Sequence, residues 1–299
     1  MNINYDYYRV FYHVAKSGSF TKAAAALFSN QPNVTRIIKN LEAELGCTLF
    51  VRSNRGIRLT AEGETLFKHI SAAVEQIAAG EQELTQDGGL SQGVLSVAAS
   101  EVALHCLLLP TLKQFKQQHP GIRLRISNHS TPQAIRALHD GLAELAVVTT
   151  PVILPKSMRK ILLKEVQEVP VCGSAFASLT RRPLSLKELT ENPIICLSKE
   201  TMTHQFYSDW FTQYGISLAP DIEPATADQV LPMVKNNLGI GFVPEAFLES
   251  DSDQKSIYRL ELTHRIPPRH VCLVKRTDQP LSPAAKELEK LLSHSAAQE

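Results

Sequence analysis

From residue 4 to residue 46 the apolar positions recur at helical spacing, and turn formers punctuate them. Val34, Ile37, Ile38, Leu41 and Leu45 share one face of a helix. Asn30 can cap its start, Pro32 falls in the first turn where a missing N–H costs nothing, and Gly46 supplies a stop, so the spacing predicts a helix from about residue 31. The opposite face carries Gln31, Asn33, Thr35, Arg36 and Lys39, with no acidic residue among them. Such side chains can donate to phosphates or base edges when a helix enters a major groove, although a solvated polar face has the same look. Upstream, Ser19 or Thr21 can cap a helix running to Leu27, and the run Ala23, Ala24, Ala25, Ala26 keeps it thin enough for a close crossing. Residues 4–16 predict a first helix whose Tyr8, Phe11, Val14 and Ala15 face that pair, with Tyr5, Tyr7 and Tyr12 as partly exposed packing. Downstream, residues 49–51 and 57–59 read as two short strands around "RSNRG", a hairpin bearing Arg52, Arg55 and Arg58. Loop arginines often serve only solubility, but beside a helix pair they can reach a DNA backbone.

Thr60 opens a long helix with Glu62 and Glu64 in its first turn, where the helix dipole favours negative charge. Leu66, Ile70, Ala73, Ile77, Gly80 and Leu84 step by four and three alternately, a heptad stripe that calls for a second helix. The expected partner is a second copy of the chain, and a dimer implies a DNA site of two related half-sites. "QDGGLSQG" then breaks the helix. Beyond it the pattern alternates: strand 94–99, helix 105–119, strand 122–127, helix 132–140, strand 145–148, a βαβαβ lobe with a parallel core. Around residues 166–172 the chain crosses to a second lobe containing strand 194–197, helices 202–214 and 228–236 and the strand "GIGFV". Strand 271–274 returns to the first sheet, and helix 282–292 closes the chain. The expected division is 1–60, a small helical domain with its hairpin; 61–90, a linker helix and hinge; and 91–299, a bilobed domain with lobe 1 near 91–165 and 266–299 and lobe 2 near 166–265.

Two α/β lobes joined by two crossings resemble the periplasmic-binding-protein architecture, which closes on a small ligand at the C-terminal ends of its strands. Those ends fall at Ser100, Ser130, Thr131, Thr149 and Thr150, with Thr201 at a helix start in the other lobe and Thr226 and Gly241 as further candidates. Hydroxyls beside helix N-termini suit an anion or carboxylate, although each can equally cap its own helix. His105, His129 and His204 read as surface histidines.

Charge sharpens this division. Residues 1–60 hold eight Lys/Arg against three Asp/Glu, giving +5, whereas residues 61–90 hold one against six, giving −5. A basic first segment in a chain of net charge +1 suits local phosphate binding rather than general polyanion coating. No apolar run approaches the roughly twenty residues of a membrane span, so a cytoplasmic location without membrane contact is expected. Cys47, Cys106, Cys172, Cys196 and Cys272 are odd in number and lack paired short spacing, which speaks against a disulfide framework and a zinc site. There is no phosphate-binding glycine loop, "GxSxG" elbow or histidine pair at metal spacing, so neither enzymatic chemistry, a cofactor nor a metal is expected.

"GSFTKAAAAL", "NQPNVTRIIKNLEAELGCTLFVR" and "RLTAEG" resemble the N-terminal winged helix-turn-helix of LysR-type transcriptional regulators over roughly the first ninety residues; the remainder matches that family's effector domain in length and element order. The resemblance implies a winged helix-turn-helix with a long linker helix, followed by a two-lobed α/β periplasmic-binding-protein-like effector domain. It places DNA contacts on Gln31, Pro32, Thr35, Arg36 and Lys39, with Arg52 in the wing. Many members carry small residues where this chain has Asn30 and Asn33. The implied partners are double-stranded DNA bearing an interrupted inverted repeat, a small-molecule effector and further copies of the chain, a dimer by the heptad stripe or a tetramer by resemblance, with RNA polymerase as a candidate. A peroxide-sensing role, known for some relatives, is disfavoured because Cys172 and Cys196 sit in apolar runs where a thiolate is costly. Two other readings stand beside a ligand-responsive regulator: a solute-binding protein without gene-regulatory role, and an α/β enzyme fused to a DNA-binding module.

Overall fold

The structure, a computed structural model, describes residues 3–53, 56–85, 93–249 and 256–297. It divides into two compact units, Met1–Gly89 and Leu90–Glu299.

The first unit is built from local signals. Asn4 caps α1 (Tyr5–Ser17) by accepting from the Asp6 N–H at 2.9 Å, and Gly18 ends it in the left-handed region, φ 61°. Ser19 caps α2 (Phe20–Ala26), which therefore starts two residues before Lys22. Asn30 caps α3 (Gln31–Leu45) by accepting from the Asn33 N–H at 2.9 Å, and Gly46 ends it at φ 69°. Val10, Phe11, Val14, Ala23, Ala24, Val34, Ile38, Leu41 and Leu49 form the core of this unit. Strands β1 (Phe50–Ser53) and β2 (Gly56–Leu59) pair antiparallel as the wing. Glu42 on α3 accepts from the Leu49 N–H at 2.7 Å and the Phe50 N–H at 3.3 Å, which ties the wing to that helix. Helix α4 (Ala61–Thr85) follows, and Thr60 Oγ1 accepts from the Gly63 N–H at 2.9 Å to start it. The segment "QDGGLSQG" lies outside the described residues up to Gly93.

The second unit opens with β3 (Gly93–Ala99), followed by a helical run made of α5 (Glu101–Ala103), a π turn (Leu104–Leu108) and α6 (Leu109–Gln118). Then come β4 (Ile122–Asn128), α7 (Thr131–His139), β5 (Leu145–Thr149) and β6 (Met158–Val166). Crossing at Gln167, the chain forms β7 (Glu168–Gly173), α8 (Leu186–Leu189), the short β8 (Ile194–Ile195), α9 (Met202–Gln213), α10 (Val230–Lys235), β9 (Ile240–Pro244), α11 (Glu245–Glu249) and β10 (Ile257–Arg259). It returns through β11 (Arg269–Arg276) and ends in α12 (Pro283–Ala297). The lobe 1 sheet has the order β4-β3-β5-β11-β6, parallel from β4 to β5 and antiparallel where β11 inserts; the lobe 2 sheet has the order β10-β7-β9-β8. This is the α/β architecture expected, with the two crossings at Gln167 and just before Arg269.

Strand β6 escapes the hydrophobic pattern because it lies on the sheet edge, paired only with β11, and it carries Arg159, Lys160 and Lys164. Charged edge strands resist unwanted pairing, and that composition hides them from a search for apolar alternation. The reading of His204 as a surface residue is wrong: it is buried on α9, among the apolar residues that this helix turns toward lobe 2.

Candidate nucleic-acid interface and interlobe site

On α3, Val34, Ile38 and Leu41 are buried and Gln31, Pro32, Arg36 and Lys39 are exposed. The polar face is held in place before any partner arrives. Thr21 Oγ1 donates to Gln31 Oε1 at 3.3 Å; Asn33 Nδ2 donates to Ser29 Oγ at 3.1 Å; a terminal guanidinium nitrogen of Arg36 donates to Asn33 Oδ1 at 2.9 Å. Gln31, Pro32, Thr35, Arg36, Lys39 and Asn40 line an open hollow of about 580 Å³. Arg58 is exposed on β2. Arg52 lies in β1, its side chain outside the description, and Arg55 lies outside the described residues.

On α4, Leu66, Phe67 and Ile70 pack against the core of their own unit, so the first two seam positions are partly spent there. Ala73 and Ile77 are exposed, Ile77 by 45%, as is Gly80. The Leu84 side chain is not among those described.

In the second unit most of the hydroxyls singled out from the sequence are already engaged. Thr131 Oγ1 donates to the Thr149 carbonyl at 3.4 Å, and Thr150 Oγ1 accepts from the His270 N–H at 2.9 Å. Thr201 Oγ1 caps α9, accepting from the His204 N–H at 3.1 Å and donating to the Ser198 carbonyl at 2.8 Å. Ser130 starts α7, its N–H bonded to Gln133 Oε1 at 3.0 Å, and Thr226 precedes a short turn of helix without capping it. Ser100 differs: it stands between β3 and α5, 8% exposed, and its Oγ has no hydrogen-bond partner.

Thr149 leads to the group that the sequence reading missed. Its Oγ1 accepts at 2.7 Å from Arg269, which is 1% exposed. Arg269 also donates through Nε to the Thr150 carbonyl at 2.7 Å, to Glu168 Oε1 at 2.9 Å and to Thr203 Oγ1 at 3.1 Å, and its guanidinium lies 5.1 Å from the Phe206 ring centroid. Thr149 and Thr150 belong to lobe 1; Glu168, Thr203 and Phe206 belong to lobe 2. One buried cation thus bonds both lobes. It lines a cavity of about 20 Å³ together with Val102 of lobe 1 and Ile195, Leu197, Tyr207, Val230 and Phe242 of lobe 2. The Tyr207 hydroxyl is buried beside Glu168 without a hydrogen bond of normal geometry, and its pKa is pushed well above the ordinary tyrosine value, first by burial and then by the Glu168 carboxylate. A signal that each charge is buried existed: Gln167 and Glu168 interrupt the apolar run 166–172, and Arg269 sits two residues ahead of the apolar run 271–274. Charges in otherwise core-facing strands are rarely left unpaired.

Burial raises the thiol pKa to about 11 in Cys172 and to about 12 in Cys196, so neither holds a thiolate at neutral pH. Among the described residues no cluster of His, Cys, Asp and Glu has the arrangement of a metal site, and no helix is long and apolar enough to cross a membrane.

A winged helix-turn-helix followed by a bilobed α/β domain defines a class of DNA-binding regulators that carry a ligand-binding module. The chain belongs to the LysR family within that class: residues 5–64 match the bacterial regulatory helix-turn-helix of the lysR family, and residues 88–297 match the LysR substrate binding domain. It is 28% identical over 283 residues to a probable nitrogen assimilation transcriptional activator of Synechococcus elongatus, covering 93% of this chain and 90% of that one. It is 25% identical over 301 residues to the RuBisCO operon transcriptional regulator of Allochromatium vinosum, covering 99% and 98%. The fold matches that of full-length CbnR in complex with its target DNA, with a TM-score of 0.73 at 16% identity over 98% of this chain and 100% of that one. The protein is a LysR-type DNA-binding transcriptional regulator with an effector-binding domain, and not an enzyme.

Proposed function

We propose that this regulator reads an interrupted inverted repeat through α3 and the wing, as a dimer or higher oligomer joined through α4, and that a small molecule bound between the two lobes changes the spacing of the reading heads. The polar face of α3 carries the first part: Gln31, Pro32, Asn33, Thr35, Arg36 and Lys39 gather at one end of the helix with no carboxylate among them, and Arg52, Arg55 and Arg58 belong to the adjoining wing. Its site of action is the cytoplasm, where RNA polymerase at a neighbouring promoter is the machinery its occupancy affects.

The effector reading rests on Arg269, which bonds both lobes in the wall of a cavity that both line. Of the hydroxyl residues at strand ends and helix starts, Thr149 and Thr150 bond Arg269 directly, whereas Ser100, Ser130, Thr131, Thr201 and Thr226 are not among the residues that line the cavity. A ligand alters the regulator only if it binds two arrangements of the lobes unequally, and a side chain bonded to both lobes is sensitive to that difference.

Selection of random duplex DNA by the purified full-length protein at near-physiological salt, with sequencing of what is retained, tests the reading. An interrupted inverted repeat is the expected result. Salt-sensitive but sequence-blind retention would remove α3 from base readout.

A further inference from the structure

The hydroxyls of the cleft, taken alone, suit an anion; the charges beside them do not. Among the residues that wall the interlobe cavity, the charged ones are Arg269 and Glu168. They are 1% and 3% exposed and bonded to each other at 2.9 Å. Every guanidinium nitrogen of Arg269 is engaged: Nε with the Thr150 carbonyl, one terminal nitrogen with Glu168, the other with Thr149 and Thr203. Phe206 lies against the guanidinium. An arriving carboxylate therefore meets no free guanidinium fork, and it meets a carboxylate already in place. The remaining wall is mainly apolar, and it includes the buried hydroxyl of Tyr207, which has no hydrogen bond of normal geometry.

We propose that the cleft accepts a ligand of zero net charge, uncharged or zwitterionic, with a mainly apolar body and a hydrogen-bonding group directed to Tyr207, and that anions are excluded because Glu168 already balances the charge of Arg269. This rests on the reading that the effector binds between the lobes. The site sums to zero charge as it stands, so a bound monoanion leaves one buried charge uncompensated, whereas a neutral molecule does not. A cavity of about 20 Å³ holds about one water, so any such ligand enters as the lobes part. A buried hydroxyl without a hydrogen bond of normal geometry is the kind of group a neutral carbonyl or hydroxyl can satisfy.

The test uses the full-length protein and matched probes that share a skeleton and differ in charge: aliphatic and aromatic acids of four to ten carbons, their primary amides, and leucine as a zwitterion. Thermal unfolding is followed as each is titrated at pH 7. In the wild type, an amide or leucine is expected to raise the midpoint at concentrations at least tenfold lower than the corresponding acid. Glu168→Gln, which leaves Arg269 uncompensated, is expected to reverse that order. If the single variant does not fold, Glu168→Gln combined with Arg269→Gln restores neutrality and keeps the wild-type preference. Acids preferred by the wild type, no response from it to any neutral probe, or a double variant that prefers acids would each overturn the proposal. Ala227→Phe separates this from its premise. Ala227 lines the cavity, so midpoint shifts that survive there place the ligand elsewhere and remove the cleft reading, whatever the charge preference.

Discussion

Arg36 illustrates how a single side chain can be prepared for its partner. Its guanidinium is held by Asn33, which is held in turn by Ser29, so the polar face of α3 loses less side-chain freedom on binding than free rotors would. Arg36→Ala is expected to weaken binding to the selected operator by about 1–3 kcal/mol and to relax preference at one base if the side chain reads a base edge. If it contacts phosphate, all sequences weaken alike; fluorescence anisotropy with operator and scrambled duplexes distinguishes the two, and unchanged binding to both removes Arg36 from the interface. Ser100 presents the opposite case, a buried hydroxyl with nothing to bond. Removing such a group does not cost stability and can add about 1 kcal/mol. Ser100→Ala is therefore expected to unfold in urea at the same or a higher midpoint, with operator affinity unchanged and the response to ligand lost. A lower midpoint would mean that the hydroxyl supports the start of α5.

Between α4 and the wing the decisive residue is a glycine. A Cβ on Gly63 would stand 2.2 Å from the Leu49 carbonyl oxygen, which accepts from the Thr60 N–H at 3.0 Å. Backbone meets backbone there, so no side chain can swing aside. Gly63→Ala is expected to lower the melting temperature of the first unit and to weaken DNA binding by displacing the wing, whereas Gly80→Ala on the same helix, with open space around the added carbon, should be neutral or stabilising. Equal melting temperatures for the two variants would refute the close approach. The same contrast explains what was legible at this scale. Helices α1 to α3 announce themselves through caps and stops adjacent in sequence, Asn4, Ser19, Asn30, Gly18 and Gly46, so their ends follow from local chemistry. The buried charges of Arg269 and Glu168 stand out locally against apolar runs, but that they pair with each other across 101 residues depends on which segments become neighbours, and no local pattern carries that information. The hydroxyls at the strand ends were found because topology locates strand ends; their internal bonds were not, because a Ser or Thr side chain offers the same atoms to a ligand and to its own backbone.

For the whole molecule the question is what α4 does with the apolar surface left along its outer half. Leu66 and Ile70 are partly covered by the first unit, but Ala73 and Ile77 continue the same heptad stripe and are exposed, Ile77 by 45%. A stripe of this spacing is satisfied by a second helix carrying the same stripe, and two copies bring two reading heads to one duplex. Linking two weak contacts in this way raises the affinity for a two-half-site duplex by about 10²–10⁴-fold over a single contact, without any new base contact. Ile77→Glu places a carboxylate in that seam. It is expected to shift the sedimentation of the full-length protein toward the monomer and to lower affinity for the complete inverted repeat to nearly that of one half-site, while leaving single half-site affinity unaltered because Ile77 is remote from α3 in sequence and is not part of the first unit's core. An assembly unchanged by this substitution would show that the subunits associate through another surface, and the spacing of the half-sites would then have to be set there.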